Sequence, residues 1–497
     1  MSLNRTPARD HRWLVLAVVA IAQLMVVLDG TIVNIALPSA QRELAFSNDS
    51  RQWIVTAYAL AFGSLLLLGG RLSDIWGRKN SFIIGLIGFA AASVLGGVAD
   101  SFGLLVTARA LQGAFGALLA PAALGIMTTT FTDPKERGKA FGIYGAVAGG
   151  GSAVGLLLGG VLTEYASWRW CLFVNVVFAV VAVAGALVFL RKPAALAVKP
   201  RIDVPGVVSV TAGLVAIVYG FSNAATQGWT DFWTLAPLIA GAVLVAVFVA
   251  VQRRSPHPLL PLRVLLDRDR GGSYIVLALT SIGMFGVFLF LTYYLQLTLG
   301  YTALQTGLAF LPMTAVLILT STLIGGRVLP RVGPRILVAI GGVLGAAGMA
   351  LLTRIDVDSG YAGVVLPALI VMGLGIGLIF SSAMNTATFG VQPQDAGVAS
   401  ATVNTMQQIG GSIGTALLST LSADAVSSYL ADHGVGTAAQ AEAVLAGYHL
   451  AFWVSVGIFG LVAVVGGTLL RRHSDRIRLG SDAGATVGDQ PVVVHAG

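Results

Sequence analysis

The feature that most restricts this chain is a succession of apolar runs, each long enough to cross a bilayer and separated by short charged loops. Runs of spanning length lie at about 13–37, 53–70, 81–99, 103–127, 140–163, 169–190, 204–223, 233–251, 271–298, 304–326, 336–353, 362–388, 397–421 and 448–470. Backbone immersed in hydrocarbon must satisfy its own N–H and C=O groups, so runs of this length have to be helical. Charged residues make up 10% of the 497 and hydrophobic ones 56%, where a soluble domain carries roughly 25% charged residues. The first run has no small-residue cleavage site behind it, so it reads as an uncleaved span rather than a signal peptide. The expected class is an all-α integral membrane protein with fourteen transmembrane helices.

The distribution of Lys and Arg orients these spans. On a fourteen-span topology the side holding both termini carries 25 of them and the opposite side 4, with Arg109 inside a run. That bias places both termini in the cytoplasm, and arginine outnumbering lysine 25 to 5 points to a GC-rich bacterial source, hence a multi-pass protein of the bacterial inner membrane. The net charge of +8 is therefore a property of membrane-flanking loops, and no nucleic-acid partner is expected. A single cysteine, Cys171, excludes a disulfide framework or a thiolate metal cluster within the chain. The six histidines lie in tails, loops or at a run edge without ligand spacing, and no Walker A sequence occurs. Neither enzyme chemistry, a cofactor nor a metal is expected, and an ion gradient is the expected energy source.

The runs divide as six, two and six. The expected parts are an N-tail (1–12), a six-helix bundle (13–190), a two-helix insertion (204–251), a linker (252–270), a second six-helix bundle (271–470) and a C-tail (471–497). The linker holds Pro256, Pro258 and Pro261 followed by LRVLLDRDR, which is expected to form a short amphipathic helix along the interface. Residues 422–447 are expected to form the longest outer loop. The loops GRLSDIWGRK (70–79) and GRVLPRVGPR (326–335) each follow the second span of a bundle and share their Gly-Arg start, second Gly and final basic residue. Such a repeat points to duplicated halves.

Two charges lie deep within runs. Asp29 follows sixteen mostly apolar residues counted from Trp13, with no basic neighbour in sequence. A carboxylate at that depth costs about 2.5–3.5 kcal/mol on insertion scales, which marks it as functional unless it merely ties two helices together. Arg109, Gln112, Gly113 and Gly116 share one face of the fourth run by helical spacing. At ~1.5 Å per residue, Asp29 lies ~24 Å and Arg109 ~20 Å from the cytoplasmic edge of a ~30 Å core. An Asp29–Arg109 pair, direct or through Gln112 or water, is expected. Desolvation and a guanidinium act on such a carboxylate in opposite senses, so conformation can tip its proton occupancy.

Other positions invite a role beside a plain packing reading. Gly151, Gly155 and Gly159 repeat every four residues, as in close helix packing, with Gly160 beside them, and Gly410 and Gly414 repeat the pattern. Met25, Asn34, Tyr58, Gln112, Phe285, Tyr293, Gln296, Asn385, Asn404, Gln407 and Gln408 are candidates for a substrate cavity of amides, aromatics and apolar atoms. Each alone reads first as a hydrogen bond or packing contact between helices. As a set they suit lipophilic small molecules.

The motifs also resemble a known family. GRLSDIWGRK is similar to the signature loop of the major facilitator superfamily, and LDGTIVNIALP (28–38) resembles the first-span motif of its fourteen-span drug:proton antiporters. RALQG (109–113), WRW (168–170) with Asn175, YLQLTLGYTALQTGLAFLP (294–312) and GVASATVNTMQQIGGSIG (397–414) continue the pattern. One departure is Leu156 after Gly155, where the family motif usually carries proline. The resemblance implies a conformational latch of Gly70, Arg71, Asp74, Gly77, Arg78 and Lys79. Asp74 would accept from amides at the start of the thirteenth span and Arg78 would pair with Asp133. It implies a monomeric, proton-coupled exporter of hydrophobic or amphiphilic drugs, working in the lipid bilayer by alternating access between bundles, with Asp29 and Arg109 coupling the proton. An exporter of one metabolite, an uptake symporter, or a non-transporting receptor or partner subunit remain the alternatives.

Overall fold

The computed structural model describes residues 11–46, 48–190, 203–256, 258–392, 395–434 and 436–471. Regular structure among the described residues is helical throughout. The first six helices are α1 (Arg12–Leu44), α2 (Asn48–Trp76), α3 (Arg78–Gly97), α4 (Phe102–Thr130), α5 (Pro134–Tyr165) and α6 (Trp170–Phe189), followed by α7 (Val204–Gln227) and α8 (Phe232–Arg254). After the single turn α9 (Leu262–Leu265) come α10 (Arg268–Gly286), α11 (Ala303–Leu323), the short α12 (Leu329–Val332), α13 (Pro334–Leu352), α14 (Leu366–Thr388), α15 (Ala396–His433) and α16 (Thr437–Leu469). π-Helical turns extend α10 at Val287–Leu291 and Tyr294–Thr298. Asp133, Asp203, Asp231 and Asp267 start α5, α7, α8 and α10, each accepting from an amide of the first turn.

Among the described residues, twelve helices are long and apolar enough to cross a membrane by length and composition, against fourteen apolar runs in the sequence. The exceptions among the long helices are α5 and α15. Both lie between neighbours, α5 on α1, α11 and α14, and α15 on α10, α16, α2 and α7. Of the two, α15 carries hydroxyls and amides that lower its hydropathy, while several side chains of α5 lie outside the described residues. Elsewhere the outer faces are apolar. Val180 and Val188 of α6, Phe232 and Ile239 of α8, Leu319 of α11 and Val343 of α13 are all exposed, as lipid contact requires.

Two expectations are corrected. Residues 422–447 are not a loop: α15 runs to His433 and α16 begins at Thr437, with Tyr429 donating to Glu442 across the turn. The segment is polar because the helices project beyond the apolar layer. LRVLLDRDR forms no amphipathic helix, because Asp267 caps α10 at Arg268 and leaves α9 one turn long. The 191–202 part of the break between bundles, most of the N-tail and nearly all of the C-tail lie outside the described residues.

In the first six helices α2 and α3 pack on α4, and α1 packs on α5 and α6. Among the later helices α13 packs on α14 and α16, and α10 on α15 and α16. These sets meet where α5 lies on α11 and where α2 lies on α15, and α7 touches both α2 and α15. The bounds of the first four helices recur 256 residues on. Asn48–Trp76 maps onto the stretch from α11 to the end of α12, and Arg78–Gly97 onto α13. Gly77 and Gly333, at that offset, both precede a helix with φ near +85° (86° and 82°), a conformation that strains any residue with a Cβ.

Candidate functional site

Five helices converge on Asp29, which is fully buried. Arg109 of α4 donates from Nη1 to Asp29 Oδ2 at 2.5 Å, and its Nε reaches the Ile54 carbonyl of α2 at 3.3 Å. Gln112, one turn along α4, donates to Asp29 Oδ1 at 2.8 Å and accepts from Arg109 at 2.8 Å. Asn175 of α6 also donates to Oδ1, at 2.7 Å. Ser93 of α3 gathers the second N–H of Gln112 at 2.7 Å and that of Asn175 at 3.3 Å, and gives its own proton to the Phe89 carbonyl. The Tyr58 ring lies under the guanidinium, 4.5 Å from Cζ. Gly113 permits this approach of α2 to α4, since a Cβ there would lie 2.4 Å from the Tyr58 carbonyl oxygen. The opposed charges cancel within a shell of donors. Removing one partner of such a buried pair typically costs about 3–5 kcal/mol, because the other is left uncompensated.

The residues expected in the latch divide. Asp74 accepts from the Gly397 amide in the first turn of α15 at 3.2 Å, and Arg78 stands 3.9 Å from the same carboxylate. There the N-terminal helix field favours an anion. Gly70 lets the backbones cross, since a Cβ would meet the Gly397 carbonyl at 2.8 Å, and Arg71 is buried beside it. Gly77 begins α3. Lys79 belongs elsewhere: its ammonium caps α6 at the carbonyls of Leu187 and Leu190. Asp133 caps α5 through the Lys135 and Glu136 amides.

The expected cavity set divides too. Gln112 belongs to the Asp29 cluster and Met25 is fully buried in the core, so neither lines an open pocket. Asn385 is engaged by Arg137 of α5 at 3.0 Å. Tyr58 is buried against Arg109, and Asn404 donates to the Ser400 carbonyl of its own helix. Phe285, Gln296, Gln407 and Gln408 are half-buried and Tyr293 is exposed. The side chain of Asn34 lies outside the described residues. The glycines of α5 serve two faces. Gly151, Gly155 and Gly159 lie against Val27, Thr31 and Ile32 of α1, within the first set of helices, while Gly160 faces Leu304 of α11.

Sequence reasoning did not single out Ser93 or Arg137. Arg137 joins α5 to α14, donating to Asn385 and, at 2.9 Å, to Thr388 Oγ1, with Phe141 and Phe389 flanking its guanidinium. In the sequence it is one of three basic residues beside a loop.

The family model of the Major Facilitator Superfamily matches residues 19–415. A puromycin resistance protein of Streptomyces alboniger is 52% identical over 468 residues, covering 94% of this chain and 92% of the relative. A cephamycin export protein of Amycolatopsis lactamdurans is 36% identical, covering 93% of each chain. A tetracenomycin C resistance and export protein of Streptomyces glaucescens is 33% identical, covering 86% of this chain and 79% of the relative. Among solved structures, the human organic anion transporter MFSD10 superposes with a TM-score of 0.65 at 15% identity, covering 93% of this chain and 100% of the other, a likeness of fold. With the family model spanning most of its length and relatives this similar along it, the chain belongs to the major facilitator superfamily of membrane transporters.

Proposed function

We propose that this transporter is a proton-coupled antiporter that exports hydrophobic or amphiphilic antibiotics across the bacterial cytoplasmic membrane. The observation that carries the reading is Asp29, an acid buried in mid-helix, directly paired with Arg109 and reached by helices of one half only. Relatives named for antibiotic resistance or export supply the substrate class. In this reading all fourteen long helices span, both termini are cytoplasmic and the monomer suffices. The Asp74–Gly397 contact and the Arg137 clamp hold the cytoplasmic side shut between α2 and α15 and between α5 and α14. At ~100 mV one proton supplies ~2.3 kcal/mol, enough for roughly a fortyfold gradient of a neutral substrate.

A narrower reading, export of one antibiotic, is favoured by the single compound in each relative's name. A panel screen in proteoliposomes with an imposed pH gradient tests both, with puromycin, cephamycin, tetracenomycin C and a lipophilic dye as probes. Gradient-driven transport of several unrelated probes supports the broad reading, of one probe the narrow reading, and of none overturns both. For the topology, cysteines at Ser359 and Gly436 should label from outside intact cells and one at Lys135 should not. Outside labelling at Lys135 would overturn it.

A further inference from the structure

Every recorded contact of the Asp29 carboxylate is with a donor: Arg109 on Oδ2, and Gln112 and Asn175 on Oδ1. That shell suits an ionised carboxylate, which only accepts. A protonated one must also donate its O–H. Acceptors in the cluster are largely taken. Gln112 Oε1 receives Arg109, and Ser93 Oγ receives both side-chain amides. The exception is Asn175 Oδ1, on a fully buried side chain and without a hydrogen-bond partner. It belongs to the same amide whose nitrogen lies 2.7 Å from Asp29 Oδ1. A terminal amide torsion is broad and roughly two-fold, so a half-turn exchanges its two ends at little rotameric cost.

We propose that Asn175 is a two-way positioning residue for Asp29, an N–H donor to the carboxylate and, after its amide turns, a C=O acceptor for the O–H of the protonated acid. The inference rests on Asp29 being the proton carrier. The proton settles on Oδ1, the oxygen that Arg109 does not hold, and its O–H points to Asn175 Oδ1. Gln112 keeps its N–H on the second lone pair of that oxygen. Arg109 retains its charge, so the pair passes from neutral to a net charge of +1. One end of the Asn175 amide is unpartnered in either setting, the C=O before the turn and the N–H groups after it, when Ser93 also loses the amide it accepted. The ionisable groups facing Asp29 are Arg109 from α4 and Tyr58 from α2; α6 brings Asn175 to the carboxylate with Ser93 of α3 behind it, and α5 meets α1 through Gly155 against Thr31 and Leu28. A residue serving only as a helix tie would need no acceptor at this point.

The test is infrared difference spectroscopy of the purified full-length transporter between high and low pH. The carboxylic-acid C=O band of Asp29 is assigned by its loss in Asp29→Asn. In Asn175→Leu, which keeps the side-chain shape without polar atoms, the band should move to higher frequency, because the acid's O–H loses its acceptor while Arg109 stays on the C=O. Gradient-driven turnover should fall about tenfold, the usual weight of a hydrogen bond to a charged group, with KM for substrate unchanged. Asn175→Gln should keep the band and most of the turnover. If Asn175→Leu does not fold, Asn175→Ala is read in the same way. An unmoved band in the variant that folds would overturn the proposal, whatever its turnover. Absence of any Asp29 acid band in the wild type would instead overturn the proton-carrier reading.

Discussion

Helices α1 and α4 of the first half and the stretches 256 residues on, α10 with its π-helical turns and α14 with the π-helical turn Tyr361–Val365 before it, occupy matching places but differ in chemistry. At that offset Asp29 faces Phe285 in the alignment of halves, Arg109 faces Val365, and Asp74 of the α2 end faces Pro330. The buried polar groups within α11 and α14 are hydroxyls, among them Thr314, Thr320, Ser321, Ser381 and Ser382. Two similar frames thus differ, and among the described residues the first carries the fully buried charge pair. The difference teaches that two halves of one frame can diverge in chemistry: on the proposed function, coupling is concentrated in the first half, while the second offers amides, aromatics and hydroxyls. It also limits the charge available, since Asp29 is the buried acid in mid-helix among the described residues and the others sit at helix ends.

The sharpest break of the comparison is in stability. Arg109→Met should destabilise by about 3–5 kcal/mol by leaving Asp29 unpaired, whereas Val365→Ala at the matching position should cost only about 2 kcal/mol in lost burial. Thermal unfolding in detergent measures both, and equal losses would erase the distinction between halves. Next comes the latch. Asp74→Asn should lower turnover by about tenfold, the weight of a hydrogen bond to a charged group, and leave substrate binding intact. Pro330→Ala should change turnover little, and transport kinetics set against equilibrium binding separate the two. Weakened binding with normal turnover in Asp74→Asn would place the acid in the substrate site instead.

The smallest effect concerns the outer end of the first half. Trp168 and Arg169 donate to Glu43 at 2.6 and 2.5 Å, and together they hold its carboxyl below the usual carboxylate range, the Trp168 bond contributing most. A depressed carboxylate contributes stability above its unfolded pKa and loses it as pH falls through the folded one. The contribution should therefore persist at neutral pH and vanish only in acid below the ordinary Glu range. Glu43 is exposed enough for solvent screening to keep it within ~1 kcal/mol. Glu43→Gln should accordingly flatten the acid limb of the stability curve slightly, and a change at neutral pH larger than that would contradict the assignment.

How much of this was legible in the sequence depended on rarity. Asp29 and Arg109 stand out because charges in apolar runs are few, and depth counting from the run edges already brought them level. Asp74 was readable because an acid at a helix end seeks exposed amides, and Gly397 supplies one. Asn175 and Ser93 were not readable as members of the cluster, because neutral polar residues in membrane helices are common and their partners lie on other helices. Arg137 was hidden among loop bases that serve topology, though its guanidinium turns inward to α14. The ends of α15 and α16 were misread as loop because hydropathy reports where the apolar layer stops, and a helix can continue past it.

The central claim is that Asp29 carries the coupled proton. Reconstituted transporter should show substrate counterflow, which needs no proton gradient, and accumulation driven by an imposed pH difference, measured with the same substrate. Asp29→Asn should retain counterflow near the wild-type rate and lose gradient-driven accumulation, and Asp29→Glu should recover part of it. Wild-type accumulation in Asp29→Asn under the same pH difference would contradict the account and return the carboxylate to the role of a tie between helices.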